Sequence, residues 1–214
     1  MTAADFQRTL DVSRETQGKF ERYAALLTKW TAAINLISPR SLPDLWRRHF
    51  LDSAQLAAHL PAPPEGRKRI ILDLGSGGGF PGFVLALLGC GHVHLVESDQ
   101  RKAVFLREVA RETGAEVTVH AARIEALEPF PVDVVTCRAF APLSRILAIS
   151  EPFLAGGCGK DGAVGLFLKG RTADLELTEA CKTWTLRIER FESMTDPEGT
   201  ILRLRLLPVE DGAS

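Results

Sequence analysis

The sequence predicts an α/β protein built on a seven-stranded, mostly parallel sheet, with a helical extension before it and an antiparallel hairpin at its end. Three observations carry this expectation. An apolar run from Arg69 to Leu74 breaks at Gly75, Gly77, Gly78 and Gly79 before apolar residues resume behind Pro81, which reads as a strand, a tight turn and a helix start. From Ile70 onward, strand patterns alternate with helix-length apolar stretches, the arrangement of a parallel sheet covered by helices on both faces. Near the end, two stretches alternate apolar with polar residues around Thr195-Asp196-Pro197-Glu198-Gly199, as in a hairpin.

In chain order, residues 13–34 place Phe20, Tyr23, Leu27, Trp30 and Ile34 three and four apart, predicting an amphipathic helix with Ser13 as N-cap. Residues 41–60 repeat the pattern through Leu45, Trp46, Phe50, Ala54 and Ala57, with Pro43 suited to a first turn, predicting a second helix. Pro61-Ala62-Pro63-Pro64-Glu65-Gly66 cannot continue it. A boundary is expected there, with a helical cap and linker over 1–64 and a sheet domain over 65–214, the two packed as one compact unit. Within the domain, strands are expected over 70–74, 92–97, 116–120, 132–137 and 163–168, and the hairpin strands over 185–191 and 201–206. Helices are expected after Pro81, over 99–112 with Val104, Phe105, Leu106 and Val109 inward, and through Leu143, Ile146, Leu147 and Phe153.

With 45% hydrophobic and 25% charged residues among 214, the chain has the composition of one globular core with an appendage. A net charge of −1 excludes a uniformly basic nucleic-acid coat but leaves room for local patches. Cys90, Cys137, Cys158 and Cys181 contain no Cys-x-x-Cys pair, so neither zinc nor dithiol chemistry is indicated and no metal is expected. The start lacks a basic segment followed by an apolar one, and no stretch approaches the roughly eighteen apolar residues of a membrane span. A cytoplasmic monomer without membrane attachment is expected.

Glycines at the turn allow positive φ and close approach of a ligand, and the next helix offers unpaired N–H groups at its start. A nucleotide-type ligand follows. The dinucleotide fingerprint wants glycine where Phe80 stands, and no Lys followed by Ser or Thr makes a P-loop. What remains is Asp73 two residues before Gly75-x-Gly77-x-Gly79, a pattern that resembles motif I of class I S-adenosylmethionine-dependent methyltransferases. Asp73 suits a cationic ligand better than a pyrophosphate; the plainer alternative is that it caps the helix. Glu97 ends the second strand pattern, about twenty residues on, where a carboxylate bonds ribose hydroxyls in βαβ sites.

A ligand of an open α/β sheet lies beyond the carboxyl ends of the strands. Arg123, Arg138 and Lys169 fall at three such ends; each alone reads as a solvated side chain, and together they predict an anionic partner. Arg47, Arg48 and His49 make a small basic patch, although Arg48 and Asp52, four apart, read from spacing alone as a solvated ion pair. Cys137 could be a covalent nucleophile of the pyrimidine-C5 methyltransferase kind, but no proline adjoins it and no Asn-Pro-Pro-Tyr-like box follows the fourth strand. The acceptor then needs neither a nucleophile nor an amino-group clamp.

Asn35-Leu36-Ile37-Ser38, Arg48-His49-Phe50-Leu51-Asp52-Ser53, the stretch from Asp73 to Gly82, Arg138-Ala139-Phe140-Ala141 and Leu168-Lys169-Gly170 together resemble the RsmG family, also called GidB, in order and over nearly the whole chain. The resemblance implies the class I S-adenosylmethionine-dependent methyltransferase fold and methylation of N7 of a specific guanine in 16S ribosomal RNA, with S-adenosylhomocysteine as product. It implies cofactor contacts at Gly75, Phe80, Ile124, Glu125 and Arg138 and Glu97 at the ribose, to which the reading of the turn adds Asp73, Ser76, Gly77 and Gly79. Arg123, Arg138 and Lys169 are the expected positioning residues, and Arg47, Arg48, His49, Arg123 and Lys169 the expected RNA contacts. No certain catalytic group is expected, because guanine N7 carries a lone pair and no proton. The implied partner is 16S rRNA within the 30S subunit or an assembly intermediate. One departure is the stretch from Ala155 to Gly162, longer than usual before the fifth strand. Three alternatives stand beside this reading: a class I methyltransferase with another acceptor, an NAD(P)-dependent oxidoreductase, which Phe80 and Asp73 disfavour, and a non-catalytic rRNA-binding assembly factor.

Overall fold

In the computed structural model, which describes residues 1–138, 140–158 and 162–208, the apolar runs become the strands β1 (Ile70–Leu74), β2 (His92–Val96), β3 (Val117–His120), β4 (Val134–Arg138), β5 (Val164–Lys169), β6 (Leu186–Glu192) and β7 (Thr200–Leu206). They form one sheet in the order β3-β2-β1-β4-β5-β7-β6. The first five are parallel, and β7 lies antiparallel to both β5 and β6. The chain leaves β1 toward one edge and comes back to β4 on its other side. That reversal opens a crevice at the carboxyl ends of β1 and β4, where α/β sheets bind ligands.

The helices after the glycine turn are α4 (Gly82–Leu87), α5 (Gln100–Thr113), α6 (Leu143–Ala155) and α7 (Ala173–Ala180). Alternation along the strands sends neighbouring residues to opposite faces. Ile71, Val93 and Val134 join one apolar cluster with Phe83, Phe105 and Leu106. Leu72, Leu74, Val135 and Phe167 join another with Leu143, Ile146, Phe153 and Leu177.

Two helices precede the sheet, α1 (Ala3–Leu10) and α2 (Arg14–Thr31). Ser13 caps α2 through the Thr16 N–H, as its sequence position predicts. Phe6, Phe20, Tyr23, Leu27 and Phe50 enter the first cluster beside the sheet residues. Edge-to-face contacts link them, with ring centroids 5.0 Å apart for Phe6 and Phe20 and 5.6 Å for Phe20 and Phe50. Tyr23 then stacks on Phe80 at 5.5 Å and donates its hydroxyl proton to the Gly78 carbonyl. The helical extension thereby touches the glycine turn itself.

Several expectations need correction. Residues 41–60 are not one helix. They form a 3-10 stretch (Pro39–Asp44), a widened π turn (Trp46–Leu51), the single turn α3 (Asp52–Ala54) and a second 3-10 stretch (Gln55–His59). Pro43 has no N–H to give to an α ladder, and the widened turn changes which side chains face inward. In α5 the inward residues are Ala103, Phe105, Leu106 and Val109, whereas Val104 is 50% exposed. Helices α1 and α7 escaped the sequence reading, although the reciprocal Thr2 and Asp5 cap of α1 was there to be seen. Of the long stretch before β5, residues 159–161 lie outside the described residues, so its length carries no structural account.

Candidate active site

The turn after β1 is shaped by backbone conformation. Gly75 has φ +63°, and a Cβ there would lie 2.3 Å from Cδ2 of Phe140, so no side chain fits. Ser76 N–H donates to the Val96 carbonyl at 3.0 Å, and Gly77 N–H donates to Glu97 Oε2 at 2.8 Å. The other oxygen of Glu97 accepts from Asp99 N–H at 2.8 Å. Glu97 therefore straps the turn to the exit of β2, and each of its oxygens retains a second acceptor site.

Asp73 differs. Its side chain is fully buried, and neither carboxylate oxygen has a hydrogen-bond partner. Burial raises its pKa from 3.8 to about 7. Ser76 and the Gly82 backbone lie near enough to temper that rise, but neither meets the carboxylate in a hydrogen bond of ordinary geometry. The helix-cap alternative does not hold, because Pro81 is the N-cap of α4 and no Asp73 oxygen bonds an N–H of its first turn. A buried carboxylate left unpaired is costly, and an ammonium group brought to the turn would satisfy it. The residues present thus fit a cofactor carrying an amino group and a nucleoside.

Arg138, at the end of β4, joins three parts of the chain. Its Nη1 donates to the Arg48 carbonyl at 3.0 Å and lies 3.4 Å from Asp52 Oδ2. Its Nη2 lies 2.6 Å from His49 Nδ1, and its guanidinium carbon sits 4.7 Å from the centroid of the Phe80 ring. Burial first, and then the charges of Arg138 and Arg48, pull the His49 pKa down to about 3. Neutral His49 accepts from Arg138 at Nδ1, which leaves its proton on Nε2 to be donated to Ser41 Oγ at 2.8 Å. Ser41 donates in turn to the Ser38 carbonyl at 2.7 Å. Asp52 Oδ1 accepts from Thr195 and from Gln55, and Gln55 Oε1 accepts the Met194 N–H at 2.7 Å. These bonds fasten the tip of the β6–β7 hairpin to the helical extension.

The structure sorts the sequence-predicted residues. Asp52 pairs with Arg138, not with Arg48. Arg48 is exposed and makes no ion pair among the described residues. Arg47 bonds Asp44 and the Thr195 carbonyl yet stays 47% exposed. His49 points inward and is neutral, so the geometry does not offer it to RNA. Lys169 is 8% exposed, with Nζ on Glu176 at 2.7 Å and on the Ala141 carbonyl at 2.9 Å; it belongs to a cavity wall rather than to the outer surface.

The three strand-end cations do not converge. Arg138 pairs in register with Leu168, next to Lys169. Arg123 follows β3 at the sheet edge, three strand spacings from β4, roughly 14 Å away. Ile124 is buried among Leu72, Leu74 and Val96, and Glu125 beside it is exposed; both stand past β3, next to the exit of β2.

A cavity of about 430 Å³ opens over the ends of β4 and β5, with Asp52, Arg138, Phe140, Lys169, Glu176 and Asp196 in its wall. It lies beside the glycine turn and not over it. Sequence reasoning names Asp52 only as a partner of Arg48 and Asp196 only as a turn residue, and it does not name Glu176. Asp52 could have been found in the Arg48 to Ser53 block, but Glu176 sits on the overlooked α7. Burial pushes the Cys137 thiol well up, so it stays protonated and does not act as a nucleophile. Among the described residues no group of three or more His, Cys, Asp or Glu is placed to hold a metal ion, and no helix is long and apolar enough to cross a membrane.

The sheet order, the glycine turn and the crevice beside it are those of the class I S-adenosylmethionine-dependent methyltransferase fold. Magnesium protoporphyrin IX methyltransferase of Synechocystis, solved with S-adenosylmethionine bound, has this fold at a TM-score of 0.61 and 12% identity, covering 92% of this chain and 98% of that one. An rRNA methylase of Streptococcus thermophilus superposes with a TM-score of 0.53 at 12% identity, over 73% of this chain and 95% of the other. Residues 16–200 match the GidB family, rRNA small subunit methyltransferase G. The ribosomal RNA small subunit methyltransferase G of Rhodospirillum rubrum is 55% identical over 95% of this chain and 97% of its own. That of Parvibaculum lavamentivorans is 49% identical over 97% and 90%. The chain belongs to the rRNA small subunit methyltransferase G family.

Proposed function

We propose that this protein transfers a methyl group from S-adenosylmethionine to N7 of one guanine in 16S rRNA. The observation that carries the reading is the partnerless carboxylate of Asp73, buried under the glycine turn beside the cavity over the ends of β4 and β5. When bound, the cofactor supplies an electrophilic methyl. Asp73 would hold its amino group, Glu97 its ribose, Ile124 and Glu125 the flanks of its base, and the backbone at Gly75, Ser76, Gly77 and Gly79 would admit it closely. Phe80 and Arg138 close that side as a stacked pair.

An acceptor nitrogen with an in-plane lone pair and no proton needs no general base. In the cavity wall, Asp52 is paired with Arg138 and Glu176 with Lys169. Catalysis then rests on alignment and exclusion of water, for which good positioning supplies roughly 7–11 kcal/mol. The guanine must leave its stack to enter. Arg47 and Arg48 line a second, smaller cavity with Thr195, Asp196 and Pro197 that adjoins the first through Asp52 and Asp196, and we assign them to the phosphates of the flanking nucleotides. In this reading the cap of residues 1–64 and the domain of residues 65–214 act as one unit, as a cytoplasmic monomer, on the 30S subunit or an assembly intermediate.

Mapping N7-methylguanine in 16S rRNA from cells with and without this protein tests the reading. A single site that disappears with the gene and returns with the native chain supports it. An unchanged map contradicts it.

A further inference from the structure

Among the described residues few large apolar side chains are exposed. These are Met1, Val104, Phe140, Leu175 and Met194, and Phe140 is the one aromatic ring in that set, 37% exposed. Its place is not a surface accident. The ring rests against Gly75, where an added Cβ would fall 2.3 Å from Cδ2 and 2.8 Å from Cε2. The same side chain lines the 430 Å³ cavity with Arg138 and Lys169. Phe140 thus touches the turn assigned to the methyl donor and the space assigned to the acceptor.

We infer that Phe140 is the platform on which the acceptor base stacks during transfer, an inference that rests on the proposed function. The chemistry asks for such a group. A ring nitrogen that attacks with an in-plane lone pair must present an edge to the donor, so the base has to be gripped by its faces. It also arrives stripped of its neighbours in the RNA, and an aromatic face replaces the stacking it has lost. Polar groups in the cavity wall, Lys169 and Asp196 among them, are left to read its edges. If Phe140 were filler beside Gly75, volume would matter and aromaticity would not.

The test compares Phe140→Tyr, Phe140→Trp, Phe140→Leu and Phe140→Ala in the full chain, with labelled S-adenosylmethionine and small subunits from cells lacking this gene. S-adenosylhomocysteine affinity, measured by calorimetry, shows that each variant is folded and keeps its donor site. The Leu and Ala variants are expected to lose roughly tenfold to a hundredfold in kcat/KM, and the Tyr and Trp variants to stay within about threefold of native, all with near-native affinity for S-adenosylhomocysteine. A Leu variant as active as native overturns the stacking role. So does a loss of activity that merely follows a loss of S-adenosylhomocysteine affinity. Native protein that binds S-adenosylhomocysteine but leaves the particles unmethylated overturns the proposed function and this inference with it, which distinguishes the two failures.

Discussion

At the exit of β1 the carboxylate of Asp73 is buried without a hydrogen-bond partner, whereas at the exit of β2 the carboxylate of Glu97 accepts one backbone N–H on each oxygen. Both acids flank the same glycine turn, yet they do different jobs. Glu97 is already used by the fold: it holds the turn in shape, and the loss of that bond would be felt with or without ligand. Asp73 makes no such bond and is buried at a cost, as its proposed role of holding a charged ligand requires. On the proposed reading the turn separates stability from binding between the two acids that flank it in space.

The sharpest way to break this comparison is Asp73→Asn. Methyl transfer is expected to fall on the order of a hundredfold, since a charge-assisted contact to a buried cation is lost, while thermal unfolding at pH 8 shows a protein at least as stable as native. A variant both inactive and unstable would place Asp73 with Glu97 as a structural residue.

The pH dependence of stability sharpens the same contrast. The Asp73 pKa is raised from 3.8 to about 7 in the folded protein, so the folded state holds a proton that the unfolded state releases across that window. Its contribution is fully present below about pH 4 and is lost as pH rises through about 7, an effect of roughly 2–4 kcal/mol. His49 and His94 act in the opposite sense, because burial lowers them to about 3 and about 4. The Asp73 part is therefore read as the difference between native and Asp73→Asn unfolding free energies from pH 4 to 8. A flat difference curve would mean that the carboxylate is not buried unpaired.

Glu97→Gln is expected to do less to turnover and more to the fold. The amide accepts only one of the two N–H bonds, so unfolding free energy drops by about 1–3 kcal/mol, with cofactor affinity falling in parallel; unchanged stability would remove the strap. The smallest effect belongs to Arg48→Ala, out on the rim. RNA affinity is expected to fall about twofold to fivefold and the slope of its logarithm against log salt to shrink by about one. An unchanged slope would take Arg48 off the RNA path.

What could be read in the sequence follows the range of the interactions. All seven strands and the turn are local patterns of two-residue alternation and glycine, and they were legible to within a residue or two. Residues 41–60 were not, because Pro43 and the widened turn at Trp46–Leu51 break a periodicity that continues in the letters. The pairing of Asp52 with Arg138, 86 positions apart, is invisible to spacing, which offered Arg48 in its place. Chain order places Arg123 with Arg138 and Lys169 at successive strand ends, but strand order puts β3 at the edge, away from β4 and β5. Asp73 could be picked out as an acid before glycines, but its missing partner is a property of the packed interior.

Binding of S-adenosylmethionine to the native chain and to Asp73→Asn, measured by calorimetry at pH 6 and pH 8, tests the assignment of the turn most directly. The native chain is expected to bind more tightly at pH 8, where the carboxylate is ionised, and the variant to bind weakly at both. Equal affinity of the two proteins, with no dependence on pH, would show that the buried acid does not hold the cofactor.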